Sequence, residues 1–373
     1  MAKLSLAQIT EIAQTYVSEN SVSVASFVAT KNNSAGLVDK IGKLVLLDSS
    51  YVDKLAMFEG ERLSFGKTIE EVNQDLILPE AFSEAGSGAL SLHNPTYRPA
   101  YYSYTLGRKK FPISIRYDDL ERAVHFEGQY AELMAMKTKR LFDSYAVWRY
   151  QVKREILAKL IGYADDVKTD ATAYATNKSF AVGDYISGGS PTQYGIVVKP
   201  ITASQTETNT WAKCLAGGWV IILNLITEIA VPTDTSTGEA FVKQLKADLE
   251  IGSDISEGHS LNGNTLGATE GLVLLTKLGV MPVLDVDVMA GAFHQDKVSV
   301  PAEQITIKDF GSDNTDVYAI LLDRRMVKLH NTYEAVRENL NGDGDFLNMF
   351  LQSEDTAFIS RNCFFKIYRN PSA

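Results

Sequence analysis

"KTIEEVNQDLIL" (Lys67–Leu78) and "TYRPAYYSYTLGRKKFPISIRY" (Thr96–Tyr117) are the two stretches whose reading decides the fold. Thr68, Ile69 and Val72 lean the first toward strand. Tyr97, Tyr101, Tyr102, Tyr104, Phe111, Ile113 and Ile115 do the same for the second. Between them "PEAFSEAGSGALSLHNP" (79–95) is a run of turn formers, so residues 61–117 read as two arms and a tip. At ~3.3 Å per residue each arm spans roughly 40–60 Å. A two-stranded ribbon of that length is not stable alone in water, so its apolar side chains must lie on something else. If the chain builds its own core elsewhere, the expected partner is another copy of the same chain.

The start of the ribbon imitates a different device. Gly66-Lys67-Thr68 looks like the end of a phosphate-binding loop, with Gly60 as its first glycine. Such a loop places about four residues between the first glycine and the Gly-Lys pair, so that its N–H groups wrap the phosphates. Here Glu61 to Phe65 intervene, one residue too many. The context is also wrong. "SSYVDKLAMFE" (49–59) reads as a short helix capped by Ser49 or Ser50, where a buried strand is required.

Downstream, "DDLERAV" (118–124) reads as a short helix, and "GQYAELMAMKTKRLFDSYAVWRYQVKREILAKLIG" as a long one. Its apolar residues Tyr130, Leu133, Met134, Leu141, Tyr145, Trp148, Val152, Ile156 and Leu160 recur with many steps of three, four or seven, and Gly162 is the expected stop. The face bearing Lys137, Lys139, Arg140, Arg149, Lys153 and Arg154 is expected to be solvated. Residues 164–210 contain hairpin material, "SFAVGDYI" and "QYGIVVKPITA" around a Gly-Gly-Ser-Pro turn. "WAKCLAGGWVIILNLI" and "GEAFVKQLKADLE" read as helices, and from 284 onward strand-like segments dominate: "LDVDVM", "QITIKDF", "VYAILLD", "MVKLHN" and "NCFFKIYR". Residues 1–60 read as an arm with an amphipathic helix marked by Leu6, Ile9, Ile12, Ala13 and Tyr16. The class is α+β, one long ribbon beside one long helix.

The chain of 373 residues can bury a large core. Its net charge of −10 disfavours a protein that works by neutralising nucleic-acid phosphates. Cys214 and Cys363 stand far apart among apolar neighbours and read as free thiols in a reducing compartment. The apolar run from Cys214 is broken by Gly217, Gly218, Asn224 and Glu228, so a soluble protein without a membrane span is expected.

No catalytic constellation emerges. His93, His125, His259, His294 and His330 lie far apart and without metal-site spacing. Asp285 and Asp287 alternate with apolar residues as in a half-exposed strand. "NLNGDGDFLNMF" begins like a calcium loop but has Phe350 where the bidentate glutamate belongs, so it reads as a turn. Neither a metal nor a cofactor is expected.

The segments "LSFGKTIEEV", "FPISIRYDDLERAV", "LDVDVMAGAFH", "VPAEQITIKDFG" and "VYAILLDRRMVKLHNTYEAVRENLNGDGDFLNMFLQ" resemble, in order, the major capsid proteins of tailed bacteriophages, especially small short-tailed ones. The resemblance implies the Hong Kong 97 capsid fold. Its parts would be an N-terminal arm (1–60), an extended loop (61–117) and a peripheral domain (118–204). The peripheral domain would carry the spine helix, about 129–162 by its apolar period, and a hairpin insertion. An axial domain (205–325) and a return to the peripheral domain (326–373) would follow. The implied function is a structural one, with no enzymatic activity. The chain would assemble with itself, as pentamers and hexamers, into the icosahedral head shell enclosing double-stranded DNA without binding it specifically. Scaffolding and portal proteins are further implied partners, the virion its location and the host cytoplasm its place of assembly. Tyr101, Tyr104, Arg108, Lys109 and Lys110 are the candidate ribbon contacts. Two rival readings remain: an NTP-using enzyme built on Gly66-Lys67-Thr68, and another virion ring protein such as a connector or tail tube.

Overall fold

The computed structural model describes residues 51–74, 82, 97–102, 104–116, 129–268, 270–283 and 302–371. The helices expected at Leu6–Tyr16 and in "DDLERAV", the strand "LDVDVM" and all of the ribbon tip except Phe82 lie outside them. The elements in chain order are β1 (Ile69–Gln74), β2 (Tyr97–Tyr102), β3 (Thr105–Arg116), α1 (Gln129–Thr169), β4 (Thr172–Ala173), β5 (Tyr185–Gly188) and β6 (Gln193–Val197). Then come α2 (Trp211–Ala216), β7 (Val220–Ile222), β8 (Ile226–Glu228), α3 (Thr235–Ser253), β9 (Ser256–Glu257), β10 (Asn264–Thr265), β11 (Leu272–Lys277) and the one-turn helix α4 (Val280–Val283). The last are β12 (Glu303–Ile307), β13 (Val317–Asp323), β14 (Val327–Asn341), β15 (Phe346–Ile359) and β16 (Phe365–Arg369).

The described residues fall into two compact units. One holds those within Met1–Val52, Lys110–Val147 and Ala335–Gln352; the other holds those within Asp53–Lys109, Trp148–Glu334 and Ser353–Ala373. In the first, Ile113 and Ile115 pack with Leu347 and Met349, and Phe111 meets Tyr145 edge-on at 5.7 Å. Its hairpin turn is made by Asn341, whose Oδ1 accepts from the N–H groups of Asp343 (3.0 Å) and Gly344 (3.1 Å). The calcium-like sequence is therefore an Asx turn, and Phe350 lies within β15.

The second unit is built on a five-stranded sheet ordered β12-β11-β13-β16-β8. "VYAILL" can be apolar throughout because both faces of its strand are covered. Val273, Leu275, Ile320, Leu322 and Ile367 share a cluster with Val152, Ile156, Leu160 and Ala164 of α1. The alternate residues Leu272, Leu274, Ala319, Leu321 and Tyr368 share one with Phe241, Leu245 and Leu249 of α3. A bulge between Val317 and Ala319 turns both Tyr318 and Ala319 toward the α3 side. Helix α3 starts at a capping box: the Asp234 carboxylate accepts from the Thr237 N–H, and those bonds hold its pKa below the usual carboxylate value.

A smaller sheet, β4-β5-β6-β7, has a cluster of its own from Phe180, Ile186, Val197, Ile201, Cys214 and Val220. Gly195 is required there, because a Cβ would stand 2.7 Å from the Ile221 carbonyl oxygen. The expected hairpin is thus two strands of a four-stranded sheet.

Four expectations need correction. "SSYVDKLAMFE" holds a single 3-10 turn, Ala56–Phe58, in place of a serine-capped helix; Asp53 accepts from the Leu55 N–H (2.8 Å), and Ser49 and Ser50 lie outside the described residues. Burying Leu55 and Phe58 takes one turn and no more. Helix α1 passes Gly162 to Thr169, since Ala164 and Val167 beyond it are buried and hold the helix in register. "WAKCLAGGWVIILNLI" is helical as far as Ala216 alone; Gly217-Gly218 ends α2, with Gly218 at φ 60°, and β7 follows. The second ribbon arm is two strands: β2 pairs with β1, whereas β3 joins a sheet ordered β14-β15-β3.

Candidate assembly surface

The ribbon proper is a two-stranded antiparallel sheet in which Ile69 faces Tyr102 and Gln74 faces Tyr97. Such a pair has little stability of its own, so what holds it and what it exposes decide its use. Phe65 is 95% exposed, Phe82 91%, Tyr101 66% and Val72 49%. Val72 and Tyr101 share one face of the strand pair, since Glu70 faces Tyr101 and Val72 faces Pro99, and large apolar groups exposed together in this way mark an interaction surface.

The base of this element is pinned. Lys67 pairs with the nearly buried carboxylate of Glu354. Glu71 accepts from the Ser360 hydroxyl and from the Arg361 N–H at 3.0 Å. On the ribbon itself the Tyr101 hydroxyl donates to Glu70, its cross-strand partner, and that bond with the carboxylate's charge raises the phenol pKa. These contacts settle the Gly66-Lys67-Thr68 question. Gly66 takes φ 71° to turn the chain, Lys67 serves a carboxylate, and a strand follows where a phosphate loop needs a helix.

Upstream, the entry to the ribbon is clamped by buried charges. Lys153, with a fully buried side chain, lies between Asp53 (2.5 Å) and Glu59. Arg149 reaches Glu59 at 2.5 Å and Asp355 at 3.7 Å. Asp355 also accepts from Asn331 and from Ser353, each at 3.1 Å; burial raises its carboxyl pKa, and Arg149 opposes the rise. The Gly60 N–H donates to the Leu329 carbonyl (2.9 Å) and that of Leu63 to Asn331 (2.9 Å), continuing the clamp along β14. This corrects the expected solvated basic face, because Arg149, Lys153 and Arg154 all take carboxylate partners, the last on Asp309. Their signal in the sequence was a pair of cations four apart beside the apolar stripe of α1, without any indication of the partners.

The five candidate contacts separate. Tyr101 lies on the ribbon, exposed. Tyr104 carries Lys159 Nζ 3.2 Å from its ring centroid, and its carbonyl accepts from the Ala357 N–H (2.9 Å). Arg108 lies 4.0 Å over the Tyr333 ring and 3.8 Å from Glu354. Lys110 lies 5.1 Å over Phe350, and Lys109 is exposed. Tyr104, Arg108 and Lys110 therefore have partners in their own chain while keeping exposed surface. Among the described residues no histidine, cysteine and carboxylate cluster could hold a metal, and no helix is long and apolar enough to cross a membrane.

A family model described as Phi29-like phage major capsid protein matches residues 2–187 and 222–364, well over half the chain. A sequence search of curated proteins finds no match. Among solved structures, the capsid of Staphylococcus phage Andhra is similar with a TM-score of 0.58 at 10% identity, covering 88% of this chain and 87% of that one. The capsid of cyanophage P-SCSP1u is similar with a TM-score of 0.50 at 9% identity, covering 90% of this chain and 95% of that one.

Proposed function

The chain belongs to the Phi29-like phage major capsid protein family, and on that premise we propose that its ribbon is the part that joins subunits into the shell. The protein is a head-shell subunit with the α+β fold of Hong Kong 97 type, a virion component that associates with itself. The carrying observation is the apolar exposure of Val72 and Tyr101, which the register places on one face of a two-stranded element too thin to need that face for its own fold, together with the exposed Phe65 before it and Phe82 beyond it. Laid over an adjacent copy, those groups leave water, and the charged clamp at Lys153 fixes the angle at which the ribbon leaves the body. Tyr101, Tyr104, Arg108, Lys109 and Lys110 supply contacts along that path.

In the finer reading, the same contacts repeat at slightly different angles in pentamers and hexamers. The net charge of −10 keeps double-stranded DNA from adhering to the wall, so the genome is enclosed without specific binding. Scaffolding and portal proteins act as partners, assembly takes place in the host cytoplasm, and the chain performs no catalysis. The sequence division into arm, extended loop, peripheral and axial parts remains the working map. The family match leaves out 188–221, which supports reading β6 and α2 as inserted, whereas the first part of the expected insertion at 176–203, up to Ser187 in β5, falls within the match. Deleting Phe82–Leu92 tests the ribbon's role: the variant subunit stays folded by circular dichroism but yields no closed particles by electron microscopy. Normal particles would refute the role.

A further inference from the structure

The connection between β9 and β10 holds a buried histidine far from the ribbon in sequence. His259 is 7% exposed, and its ring stacks on Phe364 at 5.5 Å and 24°. Among the described residues neither ring nitrogen has a hydrogen-bond partner, which is costly for a buried polar group and costlier once it is charged. Its surroundings oppose a charge there. Lys366 of β16 is itself a buried cation, whose Nζ donates to both the carbonyl and the side-chain oxygen of Asn224 at 2.7 Å. Asp248 of α3 is already engaged, accepting from the Tyr368 hydroxyl of β16 at 2.8 Å and from Gln244 at 3.0 Å. The Glu257 carbonyl of β9 lies near the ring but outside hydrogen-bonding geometry. Tyr185 of β5 and Arg361 meet the same loop at its backbone, the first donating to the Leu261 carbonyl at 3.3 Å, the second accepting through its carbonyl from the Asn262 N–H at 3.0 Å. Burial and the Lys366 charge hold the His259 pKa below its ordinary 6.5, against the Glu257 carbonyl and the Asp248 charge.

The loop bearing this histidine is a clasp. The Asn224 N–H donates to the Gly258 carbonyl at 2.7 Å, the Phe365 N–H to the His259 carbonyl at 3.1 Å, and the Asn262 side-chain amide to Asn362 Oδ1 at 2.7 Å. Gly258, at φ 81°, allows the close approach, since a Cβ there would stand 2.2 Å from the Ile222 carbonyl oxygen. Residues 258–263 thus tie the β7–β8 connection to the turn before β16. We propose that His259 is an acid-triggered latch: on taking a proton its ring leaves Phe364 and frees the 258–263 loop, while the sheet beneath stays folded. Protonated in place, the imidazolium would be a second buried cation beside Lys366 with no anion of its own, whereas in water it carries the proton without that cost. Above 6.5 the closed and the open loop both hold a neutral ring, and closure is at full strength. As pH falls below 6.5 the open loop binds a proton that the closed one refuses, so opening gains by up to about tenfold per pH unit until the buried ring titrates as well. The inference does not rest on the capsid reading.

The test follows the full chain by hydrogen exchange and mass spectrometry at about pH 7.5 and about pH 5, on either side of the imidazole's range, with rates corrected for the intrinsic pH dependence of exchange. Protection of the 258–264 and 361–366 amides falls about tenfold or more at the lower pH, while that of β13 is kept. His259→Phe keeps the stack, cannot take a proton and loses the pH dependence. Exchange of the imidazole C2 proton titrates His259 in the parent with a midpoint below 6.5, and Lys366→Met moves that midpoint up toward 6.5. Unchanged protection in the parent overturns the latch. So does an equal loss in His259→Phe, or opening of β13 together with the loop. A parent midpoint at or above 6.5 overturns it as well, and that titration decides the matter if His259→Phe does not fold.

Discussion

Lys153 shows how much one side chain can decide. A fully buried ammonium is tolerable only with close anions, and Asp53 and Glu59 supply them. Lys153→Ala leaves two carboxylates facing each other at the root of the ribbon and should cost about 3–5 kcal/mol by urea denaturation. Lys153→Met removes the charge but keeps the packing, and Asp53→Asn with Glu59→Gln in that background should recover part of the loss. Lys366 is a second buried cation, with Nζ 2.7 Å from both the carbonyl and the side-chain oxygen of Asn224; burial lowers its pKa from 10.5 to about 8. Between those values the unfolded chain holds a proton that the folded one has released. Stability should therefore rise with pH from about 8 to 10.5, by roughly 3 kcal/mol relative to a Lys366→Met variant, in paired urea titrations. Neither cation was legible as buried. A lysine on an amphipathic helix gives no sign of carboxylates that lie about a hundred residues away until the fold brings them together.

At the scale of elements, periodicity carried most of the reading. The apolar step of α1 and the continuous run of β13 were plain, because one stripe or two covered faces leave direct marks in sequence. Ends were harder, since they depend on what the last turn meets. Gly162 was read as a stop, yet nothing stands within 4 Å of the place its Cβ would occupy. Gly162→Ala should accordingly stabilise the protein by about 0.5–1 kcal/mol. Gly195→Ala should do the opposite and lower stability by about 1–3 kcal/mol, because the added methyl meets the Ile221 carbonyl across β6–β7. Urea midpoints of the two variants check both signs at once. The division of the second ribbon arm at Tyr102–Thr105 was not legible, because β3 takes its partner from β15, more than two hundred residues on.

For the whole molecule, the sequence carried the class and the pairing of Ile69–Gln74 with Tyr97–Tyr102, and the family match supports the capsid reading. It did not carry the clamp at Arg149 and Lys153, which exists only once Asp53, Glu59 and Asp355 are brought to α1 from distant segments. The account stands on a ribbon whose apolar side is free in the single subunit and covered in the assembly. Hydroxyl-radical footprinting of free subunits and of purified particles reads this directly at Phe65 and Tyr101. Oxidation of both should fall about fivefold or more on assembly, in line with aromatic groups entering the dry centre of an interface. Equal oxidation in the two states would mean that no neighbour covers the ribbon, and would contradict the account.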